Sequence, residues 1–449
     1  MNKSVDMLKG NIKVVLIAIA WPIVLSNLIQ TAMGLVDMIW IGKLGSNAVT
    51  AIGTASFFIQ FAQAFAALII TGTGVLVAQS IGRKQKIETK IYIKNGIILS
   101  LLISSIFTFI VFVFAKPLIG FFNLEDPLLI KTTIDYLRHS LVGVPFLFLV
   151  ATYISILTSF GQTKLTFRAN AIGLFLNIIL DPIFIFGFGL FPSLGVIGAA
   201  WATNLSRMLI FYLLYKNSKK EISLNNQVDF NFDKVKEVIK MGLPVTLQRV
   251  LFILISMVMA RIVVRFGTDA IAAQRIGIQI ESISYVTIGG LQGAIAAFIG
   301  QNYGNNNIDR IEKGFYMALK LVFILGSVIS ALFIFFPKQI FTIFIQDPTV
   351  VKIGVDYMVA IGYSQLFMCI ELLVVGAFNG LGKTKIPAFV TTVLTFLRIP
   401  MSLLLVKSLA VNGVWWSISI TSVFKGIVLL VWFYIYLKKF KNNDTLGAI

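Results

Sequence analysis

The chain has 449 residues, of which 57% are hydrophobic and 13% charged, with mean hydropathy +0.90 and net charge +19. Soluble domains carry about 25% charged residues, so this is an integral membrane protein. One cysteine and one histidine exclude structural disulfides and Cys/His metal sites within one chain, and basic residues gathered between apolar runs argue against a nucleic-acid partner.

The apolar runs are continuous rather than alternating, so helices and not a barrel cross the bilayer. Twelve spans are predicted, at roughly 14–40, 47–75, 92–114, 133–158, 166–189, 194–215, 239–264, 270–298, 315–336, 354–379, 386–406 and 411–437. No cleavable signal peptide is expected, because the first span is too long and lacks a small-residue cleavage site.

That first span contains Asp37. An aspartate near mid-membrane costs about 2.5–3.5 kcal/mol on insertion scales, which marks it as a functional candidate. Asn27, Gln30, Gly34 and Asp37 recur at helical spacing and share one face. A wet face implies a cavity, and an acid in it implies cation handling. The alternative is an aspartate solvated at the membrane interface.

The fifth span carries Asn170, Gly173, Asn177 and Asp181, with Pro182 directly after. Asn177 and Asp181 are four apart and share a face, and the proline withholds a backbone donor beside the acid. With Thr203 of the sixth span, Asp37, Asn177 and Asp181 form an oxygen-rich candidate ion site. Such ligands suit Na⁺, or a proton on one carboxylate of a close pair. The alternative makes each aspartate a hydrogen-bonded helix-kink residue.

Beyond residue 220 the chain repeats itself. At an offset of 222, Pro22 falls on Pro244, Gly45 on Gly267, Gln79 on Gln301 and Gly82 on Gly304. At 221, Asp126-Pro127 falls on Asp347-Pro348 and Asp135-Tyr136 on Asp356-Tyr357; at 215, Gly198 and Trp201 meet Gly413 and Trp416. The predicted organisation is an N-terminal lobe 1–220, a cytoplasmic linker 221–238 and a C-terminal lobe 239–449. Six spans per half is an even number, so the halves enter the membrane in the same direction, with a pseudo-two-fold axis along the membrane normal.

The second half has Met259 where the first has Asp37, and Asp181 aligns near Ile399 beside Arg398. Its membrane-embedded charges include Arg249, Arg261, Arg275, Glu281, Glu371, Arg398 and Lys425. Glu281 and Glu371 are candidates for substrate or a second ion. The alternative pairs them with Arg249, Arg275 or Arg398 to hold the lobe together. Gly380-Leu381-Gly382-Lys383-Thr384 imitates the end of a phosphate-binding loop, but Ala377 stands where that loop needs glycine, and a copy near Gly161 marks a repeated turn. Lysine and arginine number 24 in the loops on the side of both termini and 8 on the other, which places both termini in the cytoplasm.

The chain resembles the multidrug and toxic compound extrusion (MATE) family essentially end to end. The resemblance rests on Trp21-Pro22, Val36-Asp37, Gly45 to Gly53, Ala78-Gln79 with Gly82, Asn177 with Asp181-Pro182, and Gly198 to Thr203. In the second half it rests on Gly242-Leu243-Pro244, Ala273-Gln274-Arg275 and Gly300-Gln301-Asn302 with Gly304. It implies two six-helix lobes set in a V, and efflux of amphipathic, often cationic compounds by Na⁺ or H⁺ antiport. It also carries a cation site onto Asp37, Asn177, Asp181 and Thr203. One subgroup places an acid in the seventh span; here that stretch reads Gln248-Arg249-Val250-Leu251-Phe252, although that subgroup's tenth-span acid matches Glu371.

The expected protein is therefore an all-α integral membrane transporter of twelve helices, not an enzyme. Asn27, Gln30, Asp37, Glu281 and Glu371 are the substrate-binding candidates. It needs no cofactor beyond a coupling ion, acts as a monomer, and sits in the inner cell membrane. A lipid-linked oligosaccharide flippase of related fold is the alternative, favoured by the second-half arginines; a membrane-embedded transferase ranks below both.

Overall fold

In hydrocarbon a backbone amide has no water to bond, so each apolar run closes its hydrogen bonds within itself and becomes a helix. The computed structural model describes residues 4–188, 192–219, 222 and 230–446, and its described residues form sixteen helices. They are α1 (Ile12–Gly42), α2 (Ser46–Gly82), α3 (Lys86–Val113), α4 (Ala115–Gly120), α5 (Pro127–Leu141), α6 (Val144–Ser159), α7 (Thr163–Phe186) and α8 (Val196–Asn217). After these come α9 (Phe232–Val264), α10 (Thr268–Gly304), α11 (Ile308–Phe335), α12 (Pro337–Thr342), α13 (Pro348–Gly380), α14 (Lys385–Phe396), α15 (Arg398–Leu409) and α16 (Asn412–Leu446). Eleven spans are long and apolar enough to cross a membrane, α14 and α15 counting as one, and the pair α5 and α6, bent by 42°, makes the twelfth. Much of the predicted linker, residues 221 and 223–229, lies outside the described residues.

The bend between α5 and α6 has a local cause. Gly143 and Pro145 sit at the break, and proline has no N–H for the Leu141 carbonyl. At the offset that aligns Asp135-Tyr136 with Asp356-Tyr357, the second half has Ser364 and Leu366, and there α13 runs unbroken from Pro348 to Gly380. The reverse holds for the next span. Pro400 follows the α14–α15 break, whereas its counterpart in the continuous α7 is Ile179.

Internal duplication is visible in the backbone. At the offset that carries Gly45 onto Gly267, both ends of α2 fall on both ends of α10, and those of α3 on those of α11. Gly45 and Gly267 precede α2 and α10 with φ/ψ of 100°/175° and 96°/176°. Asp126 and Asp347 each cap a helix that opens on proline.

The chain divides into two compact units: residues 4–5 with Trp21–Thr246, and Asp6–Ala20 with the chain from Leu247 onward. In the first unit α2 packs on α3, α5 and α6, and α7 on α8. Buried Ala55, Ala62 and Ala66 let neighbouring helices approach α2 closely. In the second unit α13 is the centre, packed on α10, α11 and α16. Its core includes Phe333, Phe341, Tyr357 and Trp415.

This division differs from the predicted lobe boundaries at 220 and 239, and side-chain contacts give the reason. The start of α9 is held in the first unit: Lys234 Nζ donates to Glu88 Oε1 at 2.6 Å and to the Tyr92 hydroxyl at 3.0 Å. Tyr92 in turn donates to Glu237, and Asn95 Nδ2 to the Asn231 carbonyl at 2.8 Å. The residues leading into α1 are held in the second unit by Arg310. Its Nε, Nη1 and Nη2 donate to the carbonyls of Met7, Gly10 and Lys9 at 3.0, 3.0 and 2.7 Å. Glu88 and Arg310 are repeat counterparts, third residues of the matching helices α3 and α11.

Candidate functional site

In the first unit α1, α5, α7 and α8 bring polar side chains to one cluster. Asp37 stands near the end of α1, and the i, i+4 spacing of Asn177 and Asp181 points both from one face of α7. Both α7 residues are fully buried. Thr203 Oγ1 on α8 donates to Asp37 Oδ2 at 3.3 Å, and Asn177 Nδ2 donates to Asp181 Oδ1 at 3.3 Å. The Asp37 carboxyl also meets the Asp181 carboxyl and the Asn177 amide. One turn further along α1 and α7, Ile41 and Ile185 pack with Ala48, Ile52 and Ala199 and close the cluster with apolar side chains.

Three oxygens in this cluster find no donor among the described residues: Asp37 Oδ1, Asp181 Oδ2 and Asn177 Oδ1. Buried acceptors without partners are costly, each by about 1–3 kcal/mol and more when charged. A monovalent cation held by oxygen, or a proton between the two carboxylates, satisfies them. Two turns before Asn177 on α7, neither side-chain amide atom of the buried Asn170 has a partner among the described residues.

Two participants are absent from the sequence expectations. Arg207 lies one turn beyond Thr203 on the same face of α8 and interacts electrostatically with Asp37 and Tyr136. Tyr136, on α5, lies within the field of Asp37, Asp181 and Arg207. A signal for the tyrosine existed: Asp135-Tyr136 repeats as Asp356-Tyr357. Arg207 had only its i, i+4 spacing to Thr203.

The other candidates lie apart in character. On α1, Gln30 is exposed and Asn27 half-buried. In the second unit Glu281 accepts from the Tyr357 hydroxyl at 3.1 Å and from Gln365 Nε2 at 3.3 Å. Glu371 forms a buried ion pair with Lys425, Nζ to Oε2 at 2.8 Å. In place of the arginine pairing weighed as the alternative for Glu371 stands a lysine from α16. Arg398 instead donates to Thr421 Oγ1 and Ser422 Oγ at 3.0 and 2.9 Å. Where Asp37 meets Asp181 in the first unit, Met259 meets Ser402 in the second, the hydroxyl 3.8 Å from the sulfur. Ser402, not Ile399, is therefore the contact counterpart of Asp181. It stands at the offset that relates Asp135 to Asp356.

A family model described as MatE matches residues 22–183 and again 244–404, so the two matches begin on Pro22 and on its repeat counterpart Pro244. The chain belongs to the MatE family. It is 27% identical over 434 residues to the "Probable multidrug resistance protein NorM" of Thermotoga maritima, covering 93% of this chain and 91% of that one. It is 23% identical over 411 residues to a protein named "FAD transporter" in Shewanella oneidensis, covering 89% and 90%. A solved MOP-superfamily transporter from Pyrococcus furiosus has the same fold, with a TM-score of 0.89 at 22% identity over 98% of this chain and 99% of that one. MatE proteins are transporters, so this chain is a membrane-embedded transporter and not an enzyme, and the transferase alternative falls.

Proposed function

We propose that this MatE transporter exports amphipathic organic cations by antiport with Na⁺ or H⁺. The observation that carries the reading is the set of three buried, donorless oxygens on Asp37, Asn177 and Asp181. Thr203 orients Asp37, and Arg207 supplies one positive charge against two carboxylates. One monovalent cation or one proton then neutralises the cluster. When it leaves, the carboxylates repel across a low-dielectric site. The helices that carry them rearrange, or a cationic substrate takes the ion's place, and alternating access follows from that bias between states. Asn27 and Gln30 extend the polar face of α1 toward substrate, and Glu281 and Glu371 are substrate candidates of the second unit. Relatives named as multidrug resistance proteins support this substrate class. The protein works as a monomer without a cofactor, in the inner membrane with both termini cytoplasmic, as the basic loop bias supports.

The flippase reading draws on basic groups in the second unit. Lys425 is closed onto Glu371 and Arg398 is turned to hydroxyls, which supports export of cations instead. The test uses purified protein in liposomes under an imposed Na⁺ or pH gradient, with a fluorescent organic cation as reporter. One gradient drives accumulation, and Asp37→Asn abolishes it. Normal transport by Asp37→Asn, or indifference to both gradients, defeats the reading.

A further inference from the structure

We infer that the second unit carries a binding groove for the phosphate headgroup of an anionic membrane lipid. The groove, of about 830 Å³, runs between the segment leading into α1 and the first turns of α11. Lys13, Lys313 and Lys320 line it, with Tyr316, Met317 and Ile12 as its apolar part.

Its charges are unspent. All three lysines are exposed, and none meets a carboxylate among the described residues. The acid in the wall, Asp309, pairs with Lys441, which also holds Glu312. Arg310 is committed to three backbone carbonyls, so it fixes the wall instead of competing for ligand. The groove therefore presents three ammonium groups against one lining carboxylate, Asp309, which is drawn to Lys441.

Its flank on α11 suits a lipid. Lys313 and Lys320 are seven apart and share the α11 face that Tyr316 also occupies. Directly after Lys320 a charge-free, mostly apolar run begins at Leu321, and Phe323 and Ile324 are exposed large apolar residues. A headgroup among the lysines thus continues into a surface suited to acyl chains. Basic pockets between helices at the cytoplasmic surface bind anionic headgroups in this way.

The fold does not require these lysines. Under the repeat, Arg310, Lys313 and Lys320 correspond to Glu88, Ile91 and Ile98 on α3, which starts and ends in register with α11. The first unit thus has the same helix with isoleucine at the two lysine positions. The proposal takes only the name of the leaflet, cytoplasmic, from the orientation proposed above.

The test titrates the delipidated full chain in detergent with phosphatidylglycerol, with phosphatidylcholine of equal chain length, and with inorganic phosphate. Bound lipid is counted by native mass spectrometry. Phosphatidylglycerol binds in preference, and Lys313→Gln with Lys320→Gln weakens it roughly ten- to thirtyfold, at about 1 kcal/mol per basic residue. Lys84→Gln with Lys86→Gln removes the same charge elsewhere and leaves binding unchanged. Equal binding of the two lipids, or full binding by the Lys313/Lys320 variant, overturns the proposal. Displacement of the lipid by an equal concentration of inorganic phosphate overturns it too, and assigns the groove to a soluble anion. If the double variant does not fold, Lys13→Gln tests the same groove. None of these readouts involves transport, so they stand or fall apart from Asp37→Asn.

Discussion

Between Lys425 and Glu371 a full positive and a full negative charge meet at 2.8 Å with both side chains buried. Removing one partner leaves the other uncompensated, at a cost of about 3–5 kcal/mol. Lys425→Met is therefore expected to lower the thermal unfolding midpoint strongly in detergent. Joining it to Glu371→Leu recovers much of the loss, because two apolar side chains strand no charge. If the single and double variants melt alike, the pair is not a structural one and Glu371 is available to substrate. In the first unit the logic is reversed, since the acids there outnumber their partners. Arg207→Met is expected to raise the apparent affinity for the coupling ion about tenfold, because a cation near Asp37 opposes a second cation. The ion dependence of transport in liposomes checks this; weaker binding in the variant contradicts Arg207 as a repelling neighbour.

At the level of helices, close approach replaces the hydrophobic drive that lipid removes. A Cβ on Gly242 of α9 lies 1.8 Å from the Leu68 carbonyl oxygen of α2. A side chain there forces the two helices apart, and Gly242→Val is expected to cost about 1–3 kcal/mol or more and to lower the yield of folded protein, measured by fluorescence-detected size exclusion. Normal yield and midpoint contradict this account of the packing. The helices themselves were legible because apolar runs and Gly/Pro punctuation are local properties. The first-unit acids were legible too, since a charge inside an apolar run is conspicuous. What escaped was partner choice. Whether Glu371 takes Arg398 or Lys425 depends on which face of α16 turns inward, and no spacing within either helix fixes that. The same holds for Lys234 and Arg310, which bind residues far away in sequence.

For the molecule as a whole, the duplication fixes direction. Two halves with an even number of spans place repeat counterparts on the same side of the membrane; an odd number places them on opposite sides. Four exposed positions test this, in two pairs of repeat counterparts: Lys84 with Asn306, and Lys116 with Lys338. The first pair precedes α3 and α11, and the second lies in α4 and α12 after them. Because Cys369 is the sole cysteine and is buried, single cysteines introduced in a Cys369→Ser background report cleanly. A membrane-impermeant maleimide added to intact cells is expected to label Lys116→Cys and Lys338→Cys. Lys84→Cys and Asn306→Cys react only after the membrane is opened. A pattern in which one member of a pair reacts from outside and its counterpart from inside means an odd number of spans between them. In that case the bent pair α5 and α6 does not act as a single span, and the loop charge bias no longer places both termini in the cytoplasm. If all four react as expected, the units share one orientation. Their differences, the acid pair in one and its Met259–Ser402 replacement in the other, then mark divergence of duplicated halves that face the same gradient.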